Sequence, residues 1–421
     1  MDLRPRLGVA LSPASRTEAA VAPDGGLRSR ISLARGSRTH LSISSVPECS
    51  KITNVIYDHQ IFSAQKYGGI SRYFYELAKR VNSSAGFSAS VVAPLHVNRY
   101  LDGGGVGVKG IRIPALRRGV RALEAINHRI GSTLSRMSRP DVFHETYYPE
   151  DSCAPKDCPI VVTVHDMTQE RLSEVFGKND LTSARKRAAV ERADRVICVS
   201  ESTRRDLMEL FNPDPKKIQT IHLGATRATP LDTAADSLKA HTIDRPFFLY
   251  VGMRGPYKNF DRVLRAYASR QWLRTEFDLI AFGYADFWHE EIELMSSLGL
   301  ERPRVRHMTG NDALLGQLYS HAVALIYPSL YEGFGIPPLE AMAYGCPVLC
   351  SNRSSIPEVV GDAGLYFDPE SVDSIADAME RVAAVAEFRK DLSARGRERA
   401  KLFSWDRCAA RTMEVYRELV T

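Results

Sequence analysis

Two glutamates, Glu332 and Glu340, lie in the segment of this sequence that most strongly indicates chemistry. An apolar strand is predicted to end at Tyr327, and the loop after it holds Gly333 and Gly335, which allow the backbone to approach a ligand closely. A pair of prolines then opens a helix, whose free N–H groups and dipole favour an anion. Carboxylates accept hydrogen bonds from sugar hydroxyls, so the segment predicts a site for an anionic, polyhydroxyl ligand. The alternative interpretation is that Glu340 is an ordinary acidic residue of a helix first turn and that Glu332 is a surface loop residue.

Arg254 and Lys258 form a second candidate group. They follow the predicted strand 247–251, in a loop that also holds Gly252 and Gly255. Two cations at the carboxyl end of a strand can neutralise a diphosphate leaving group and stabilise the charge that grows in its transition state. A solvated basic loop is the alternative interpretation.

Three other predicted strand ends carry glycines or polar side chains. Gly68 and Gly69 follow the first strand, where backbone N–H groups can cradle a phosphate, although two glycines also suit a simple turn. His165 follows an apolar run, and its imidazole can donate to a sugar hydroxyl or orient the reacting centre. A strand-capping histidine, with Asp166 as a helix N-cap, is the alternative. His144 ends another strand, and we take His144 and Asp166 as candidates for the acceptor side.

The elements that must position these residues alternate from residue 51 onward, as short apolar strands and amphipathic helices. This alternation is typical of parallel sheets covered on both faces, and it restarts after a stretch rich in Ala, Thr, Asp and Pro. The predicted fold class is α/β, with two doubly wound Rossmann-like domains facing across a cleft in which ligands bind. The predicted divisions are a disordered extension at 1–50, a first, acceptor domain at 51–226, a linker at 227–246, a second, donor domain at 247–402 and a C-terminal segment at 403–421.

Composition excludes several classes of protein. The chain has 421 residues, a formal net charge of +6 and 44% hydrophobic residues, which places it among globular proteins. This charge does not indicate a nucleic-acid partner. The seven cysteines are scattered without zinc-ligand spacing, so we expect no metal and a reduced, cytoplasmic chain. No apolar run is long enough to span a bilayer.

The stretch from Gly105 to Gly110 matches the pattern G-x-G-x-x-G. A dinucleotide-binding fingerprint must follow a strand and open a helix. Here the pattern leads into a strand-like segment at 111–113, so we predict a loop without a cofactor.

The glutamate segment, EGFGIPPLEAMAYGCPV, resembles the signature of retaining glycosyltransferase family 4, the sugar-nucleotide-dependent enzymes of GT-B fold. The similarity continues through SNRSSIPEVVGDAGLYFDP, extends upstream to segments 251–260 and 67–74, and covers residues 52–419. In that family the first glutamate contacts the donor sugar and the second binds the ribose, and Glu332 and Glu340 match these positions. The resemblance also implies a C-terminal helix that returns to the first domain.

The same resemblance assigns the remaining site residues. It places an Arg and a Lys on the diphosphate, a glycine-rich loop near the donor phosphates, and a histidine over the donor sugar. Many members carry the Arg directly after the glycine, where this chain has Met253. The predicted catalytic residues are therefore His165 and Glu332. The predicted donor-binding residues are Gly68, Gly69, Arg254, Lys258, Gly333, Phe334, Gly335, Ile336 and Glu340.

The implied reaction is a retaining, metal-independent transfer of a hexose from a nucleotide-diphosphate sugar to a glycan or lipid-linked saccharide. The nucleotide sugar is a co-substrate, and no cofactor is expected, since no Asp-x-Asp triplet is present. Analogy with bacterial surface-polysaccharide enzymes favours mannose. Two alternatives stay open: a sugar-nucleotide epimerase or phosphorylase on the same architecture, and a non-catalytic sugar-nucleotide-binding scaffold.

A basic, amphipathic segment at 116–130 suits contact with anionic lipid headgroups. Such contact would place the chain peripherally on the inner face of the cytoplasmic membrane, close to a lipid-linked acceptor. A solvated charged face is the alternative.

Overall fold

The structure, a computed structural model, describes residues 51–115, 120–176, 180–225, 241–283 and 285–421. The predicted extension at 1–50 and most of the predicted linker, 227–240, lie outside these residues. Within them, strands form a seven-stranded and a six-stranded sheet, and every strand pair is parallel. The predicted fold class, two Rossmann-like α/β domains, is confirmed.

The first sheet has the order β3-β2-β1-β4-β5-β6-β7, and the second has the order β10-β9-β8-β11-β12-β13. The strands of the first sheet are β1 Thr53–Tyr57, β2 Phe87–His96, β3 Gly107–Arg112, β4 Val142–Glu145, β5 Ile160–Val164, β6 Arg195–Cys198 and β7 Ile218–Thr220. Those of the second sheet are β8 Phe247–Val251, β9 Asp278–Phe282, β10 Val305–Met308, β11 Ala324–Tyr327, β12 Val348–Ser351 and β13 Gly364–Phe367. Strand order reverses between β1 and β4 and between β8 and β11, and ligands of such sheets bind at these switch points.

Helices cover both sheets. In the first half they are α1 Gln60–Ala64, α2 Gly69–Asn82, α3 Val120–Ser138, α4 Thr168–Arg171, α5 Thr182–Arg192 and α6 Glu201–Phe211. In the second half they are α7 Phe260–Ser269, α8 Gln271–Glu276, α9 His289–Ser297, α10 Asp312–His321, α11 Ile336–Tyr344, α12 Ile356–Val360, α13 Val372–Ala384, α14 Ala386–Ala400 and α15 Trp405–Val420. Central strands such as β8 and β9 are buried at every position, because helices pack on both faces.

The stretch from Gly105 to Gly110, predicted as a loop, is in part strand: β3 begins at Gly107 and forms the exposed edge of the first sheet. A Cβ built on Gly110 would lie 1.7 Å from the carbonyl oxygen of Ala93 in β2. The glycine therefore serves close strand pairing rather than phosphate binding.

Helix α15 ends the chain and packs against the first sheet. The hydroxyls of Tyr416 and Tyr57 lie 3.1 Å apart in the core, and the Arg80 Nε donates to Asp406 at 2.6 Å. Helix α15 thus covers strands β1 and β4 from one side. The side chains at the ends of these strands that face α15 are therefore buried.

Candidate active site

A cavity of about 500 Å³ lies between the carboxyl ends of the two sheets. It is bounded by the loops that follow β1, β5, β8 and β11, as expected for two facing switch points. Most of the predicted site residues line it: Gly68, Gly69, His165, Asp166, Lys258, Glu332, Gly333, Phe334, Gly335, Ile336 and Glu340.

Helix α11 follows the Glu332 loop and is bounded by two glycines whose backbone dihedral angles lie in the left-handed region. Gly335 has φ +106° and Gly345 has φ +75°, and prolines occupy the first turn. Gly335, Ile336 and Pro337 line the cavity, so the helix begins there. Because prolines carry no N–H, the backbone N–H groups of Gly335 and Ile336 are the ones at this helix start that can favour an anion.

Glu332 and Lys258 form an ion pair in the wall, with the Lys258 Nζ 2.6 Å from the Glu332 Oε1. Burial by itself would lower the pKa of Lys258, but the Glu332 carboxylate, Tyr257 and Asp166 together outweigh it, so the pKa of Lys258 is raised. The Glu332 N–H also donates to the Ser354 hydroxyl at 2.8 Å, which anchors the loop. The cation and the carboxylate are thus preassembled beside the helix start.

Glu340, in the first turns of α11, faces the first domain. Arg72 of α2 donates to its Oε1 at 2.6 Å, and the Tyr319 hydroxyl donates to its Oε2 at 3.5 Å. Burial raises the pKa of Glu340, and the guanidinium of Arg72 opposes this shift.

His165 lies in the cavity wall, packed edge-on against Tyr73 and Phe74 at centroid distances of 5.3 and 5.7 Å. Burial lowers its pKa to about 4, with a smaller lowering from Lys186 opposed by Asp166, so the ring is neutral near pH 7. Among the described residues, its Nε2 has no hydrogen-bond partner. A neutral imidazole can exchange a hydrogen bond with a sugar hydroxyl, but this Nε2 is buried, so a hydroxyl reaches it only when the cavity wall shifts.

Asp166 also lines the cavity, and its carboxylate accepts from the N–H of Thr168, the first residue of the short helix α4, at 2.9 Å. Burial would raise its pKa, yet Lys186 and this hydrogen bond lower it, so it is ionised.

Two predicted site residues lie away from the cavity. The first is Arg254, whose Nε donates to Glu291 at 2.8 Å and whose NH2 donates to the carbonyls of Ala285 and Asp286. Its side chain is only 2% exposed. Met253, 71% exposed, lines the cavity instead. The chain therefore differs from the family pattern in what it presents after Gly252: the thioether faces the cavity, and the guanidinium is turned into the domain.

The second is His144, which is fully buried. Its Nδ1 is 2.6 Å from the Tyr416 hydroxyl and its Nε2 is 2.9 Å from the Thr163 hydroxyl. Both nitrogens are satisfied, and burial lowers its pKa to about 3. The structure therefore places His144 away from the cavity, because helix α15 covers the end of β4, and its acceptor-side role stays a prediction.

Sequence reasoning missed several cavity-lining side chains, among them Arg72, Tyr100, Tyr257 and Asp312. Arg72 could have been suspected, since it lies within the resemblance at 67–74. Asp312 and Tyr100 lie in segments without a recognisable motif, and only the fold brings them here.

Comparison with known proteins identifies the family. Residues 236–399 match the family model of glycosyl transferases group 1, and residues 67–229 match the model of Glycosyltransferase Family 4. Over 267 residues the chain is 33% identical to O-antigen chain mannosyltransferase B of Escherichia coli. The aligned residues are 62% of this chain and 70% of that relative. The chain belongs to glycosyltransferase family 4.

Other relatives and structures agree with this family 4 glycosyltransferase. Serotype-specific mannosyltransferase WbdA of Escherichia coli is 29% identical over 247 residues, which are 56% of this chain but only 30% of that relative. WaaG, a glycosyltransferase involved in lipopolysaccharide biosynthesis, has a TM-score of 0.67 and 17% identity, covering 86% of this chain and 99% of that chain. HepE of Anabaena, in complex with UDP and glucose, has the same four values. These similarities confirm the GT-B fold, and the family confirms the predicted enzyme class.

The described residues of this glycosyltransferase contain neither a membrane-crossing helix nor a metal-binding cluster. None of their helices is both long and apolar enough to cross a bilayer. Nor do their His, Cys, Asp and Glu side chains form a group of three or more suited to hold a metal ion.

Proposed function

We propose that this glycosyltransferase moves a hexose, with mannose as the expected sugar, from a nucleotide-diphosphate donor to a glycan or lipid-linked saccharide in cell-surface polysaccharide synthesis. The observation that carries the proposal is the convergence of Lys258, Glu332, Glu340 and the start of helix α11 on one cavity. The names of the Escherichia coli relatives favour mannose and O-antigen chains. The complex of HepE with UDP and glucose supports a nucleotide sugar as the donor.

In the proposed donor complex, Glu340 accepts hydrogen bonds from the ribose hydroxyls. The diphosphate lies against Lys258, the N–H groups at the start of α11, and the backbone at Gly68 and Gly69. Because Lys258 is already paired with Glu332, an entering phosphate oxygen shares the ammonium group rather than meeting a free cation.

Chemistry then occurs at the anomeric carbon. Its bond to the diphosphate oxygen breaks, and the electron pair leaves with the diphosphate. The acceptor hydroxyl oxygen bonds to the same carbon, and its proton passes to an oxygen of the departing diphosphate. Lys258 and the helix start stabilise the charge that grows on the leaving diphosphate, and Glu332 and His165 hold the sugar in place. We propose retention of anomeric configuration and independence of divalent cations, both on the basis of the family resemblance.

The test is donor hydrolysis across a panel of nucleotide sugars with chelator present. We expect slow hydrolysis of one donor, faster transfer with a polysaccharide acceptor extract, and loss of both in Glu332→Ala. A requirement for Mn²⁺ or Mg²⁺ would contradict metal independence. Interconversion of the donor into a second nucleotide sugar would favour the epimerase, and nucleotide binding without turnover in the presence of acceptor would favour the scaffold.

We further propose peripheral contact with the cytoplasmic membrane through helix α3. Its outer face exposes Ile126, Ile130 and Met137 beside Arg129 and Arg136, a combination that suits an anionic lipid surface. The start of the predicted basic segment, 116–119, lies outside the described residues.

Cosedimentation with phosphatidylglycerol vesicles checks this contact. Ile126→Gln with Ile130→Gln should lose most of the binding, whereas Leu402→Gln, an exposed leucine of the second domain, should bind like the wild type. Equal binding of all three proteins would exclude α3 as the contact.

A further inference from the structure

Arg72 is the cavity residue whose role the proposed reaction leaves open. It belongs to α2 of the first domain, yet its guanidinium contacts two acids of the second domain: Glu340 at 2.6 Å and Asp312 at 3.5 Å. The Arg72 and Glu340 side chains are 13% and 10% exposed, so this ion pair lies largely out of water. It joins the two walls of the cavity at the residue that we expect to bind the ribose.

We propose that Arg72 is a positioning residue for the donor, which holds the Glu340 carboxylate oriented toward the ribose and couples nucleotide binding to contact between the two domains. The inference rests on the proposed function, because that function makes the ribose the ligand of Glu340.

The ion pair is compatible with ribose binding at the same time. A carboxylate offers about four acceptor positions, of which Arg72 occupies one on Oε1 and the Tyr319 hydroxyl one on Oε2. If Arg72 swung away to a phosphate, Glu340 would be left as a buried carboxylate without its cation, which is strongly unfavourable. Arg72 therefore stays on Glu340 while ribose hydroxyls occupy the remaining positions.

The surroundings of Glu340 explain why it needs this partner. Helix α10 presents Tyr319 and Asp312 to it, α2 presents Arg72, and Tyr100 lies near the pair. Burial raises the pKa of Glu340, Arg72 lowers it, and Asp312 raises it again. Without Arg72, the carboxyl therefore gains a proton more easily and loses its orientation, and both changes weaken acceptance of ribose hydroxyls.

The experiment is calorimetric titration of the full chain with ADP, GDP and UDP. The tightest of these is then compared with its 2′,3′-dideoxy form, which lacks the ribose hydroxyls. Arg72→Gln should weaken the ribonucleotide by about tenfold to a hundredfold, the range for a lost charge-assisted contact. It should weaken the dideoxynucleotide by less than about threefold, because the interaction that Arg72 supports is already missing.

The pH dependence gives a second readout. As the pH rises from 6.5 to 8.5, Arg72→Gln should recover part of its affinity for the ribonucleotide, since Glu340 is then ionised without help. Recovery in Arg72→Gln that exceeds any change in the wild type supports the proposal, and parallel pH curves overturn it.

Arg80→Gln is the matched control, because Arg80 lies on the same helix and pairs with Glu76 and Asp406 instead. It should bind both nucleotides like the wild type. Should Arg72→Gln fail to fold, Arg72→Lys carries the test, with a smaller loss that is again confined to the ribonucleotide.

Equal losses for the ribose and dideoxy forms would overturn the inference, because Arg72 would then act on the phosphates or on folding. An unchanged affinity in Arg72→Gln would also overturn it and leave the proposed function standing. If the wild type binds none of the nucleotides, the proposed function fails, and this inference fails with it.

Discussion

The two walls of the cavity contribute different things. The second-domain wall carries the ion pair Lys258–Glu332, formed entirely within that domain, and the start of helix α11. The first-domain wall carries glycines, a neutral His165, and Arg72, which reaches across to Glu340. Behind this wall, the buried Ser200 hydroxyl donates to the Gly333 carbonyl of the second domain at 2.6 Å. The charged pair proposed to act on the donor, Lys258 and Glu332, thus lies in the second domain. The first domain supplies contacts that exist only when the two cavity walls touch.

This difference predicts that changes in the second wall reduce turnover directly. Lys258→Ala should lower kcat by about a hundredfold to a thousandfold, the effect of removing one preorganised charge from a leaving group. Steady-state kinetics with the preferred donor measure it, and Lys258→Arg should recover part of the rate. Turnover within threefold of the wild type would contradict the phosphate role of Lys258.

Gly333 tests the contact between the walls. A Cβ there would lie 1.7 Å from the His165 carbonyl oxygen, which is backbone and cannot move aside alone. Gly333→Ala should therefore push the walls apart and lower kcat/KM by about tenfold to a hundredfold, since misplacement near 1 Å is costly. Gly255→Ala, whose Cβ would meet only Tyr257 at 3.9 Å, is the control and should stay within about twofold. Normal kinetics in Gly333→Ala would mean that the walls need not meet.

Substitution of Arg254 tests whether this residue stabilises the fold or binds the donor. Because its guanidinium is buried against Glu291, Arg254→Gln should lower the free energy of unfolding by about 3–5 kcal/mol. Below its melting temperature, the variant should keep its donor KM within about twofold. Denaturant titration and kinetics at low temperature measure the two effects. Unchanged stability with a tenfold higher KM would return Arg254 to the diphosphate, as the family resemblance predicts.

The smallest expected effect on activity concerns two histidines, His165 in the first wall and His144 behind it. Burial lowers the pKa of His165 to about 4 and of His144 to about 3, whereas an unfolded histidine titrates near 6.5. The unfolded chain therefore binds more protons below pH 6.5, and the free energy of unfolding falls as pH drops from 6.5 toward 4. Each pKa unit of difference corresponds to about 1.4 kcal/mol.

His144→Gln should reduce the decrease in the free energy of unfolding between pH 6.5 and 4, as measured by denaturant titration at several pH values. His165 should cause no change in activity between pH 6 and 8. A His165 ring that titrates above pH 6 by NMR would show that the wall is wetter than the structure indicates.

Local sequence was sufficient for most of the architecture. Continuous apolar strands predict parallel sheets because both of their faces are covered, and Gly335 and Gly345 bound helix α11 because each takes a positive φ. Glu332 and Lys258 could be grouped from sequence because the carboxyl ends of parallel strands meet at one edge of a sheet. His165 joins them because the carboxyl ends of the two predicted sheets face each other across a cleft.

Tertiary structure decided which way each side chain points and what covers it. The sequence alone could not show that Met253 faces the cavity while Arg254 turns inward onto Glu291. Nor could it show that Tyr416 buries His144. Strand and helix periodicity determine which residues share a face, but these outcomes depend on contacts between segments far apart in the chain. The pair of Arg72 and Glu340, which joins two domains, exists only because the two sheets face each other across the cavity.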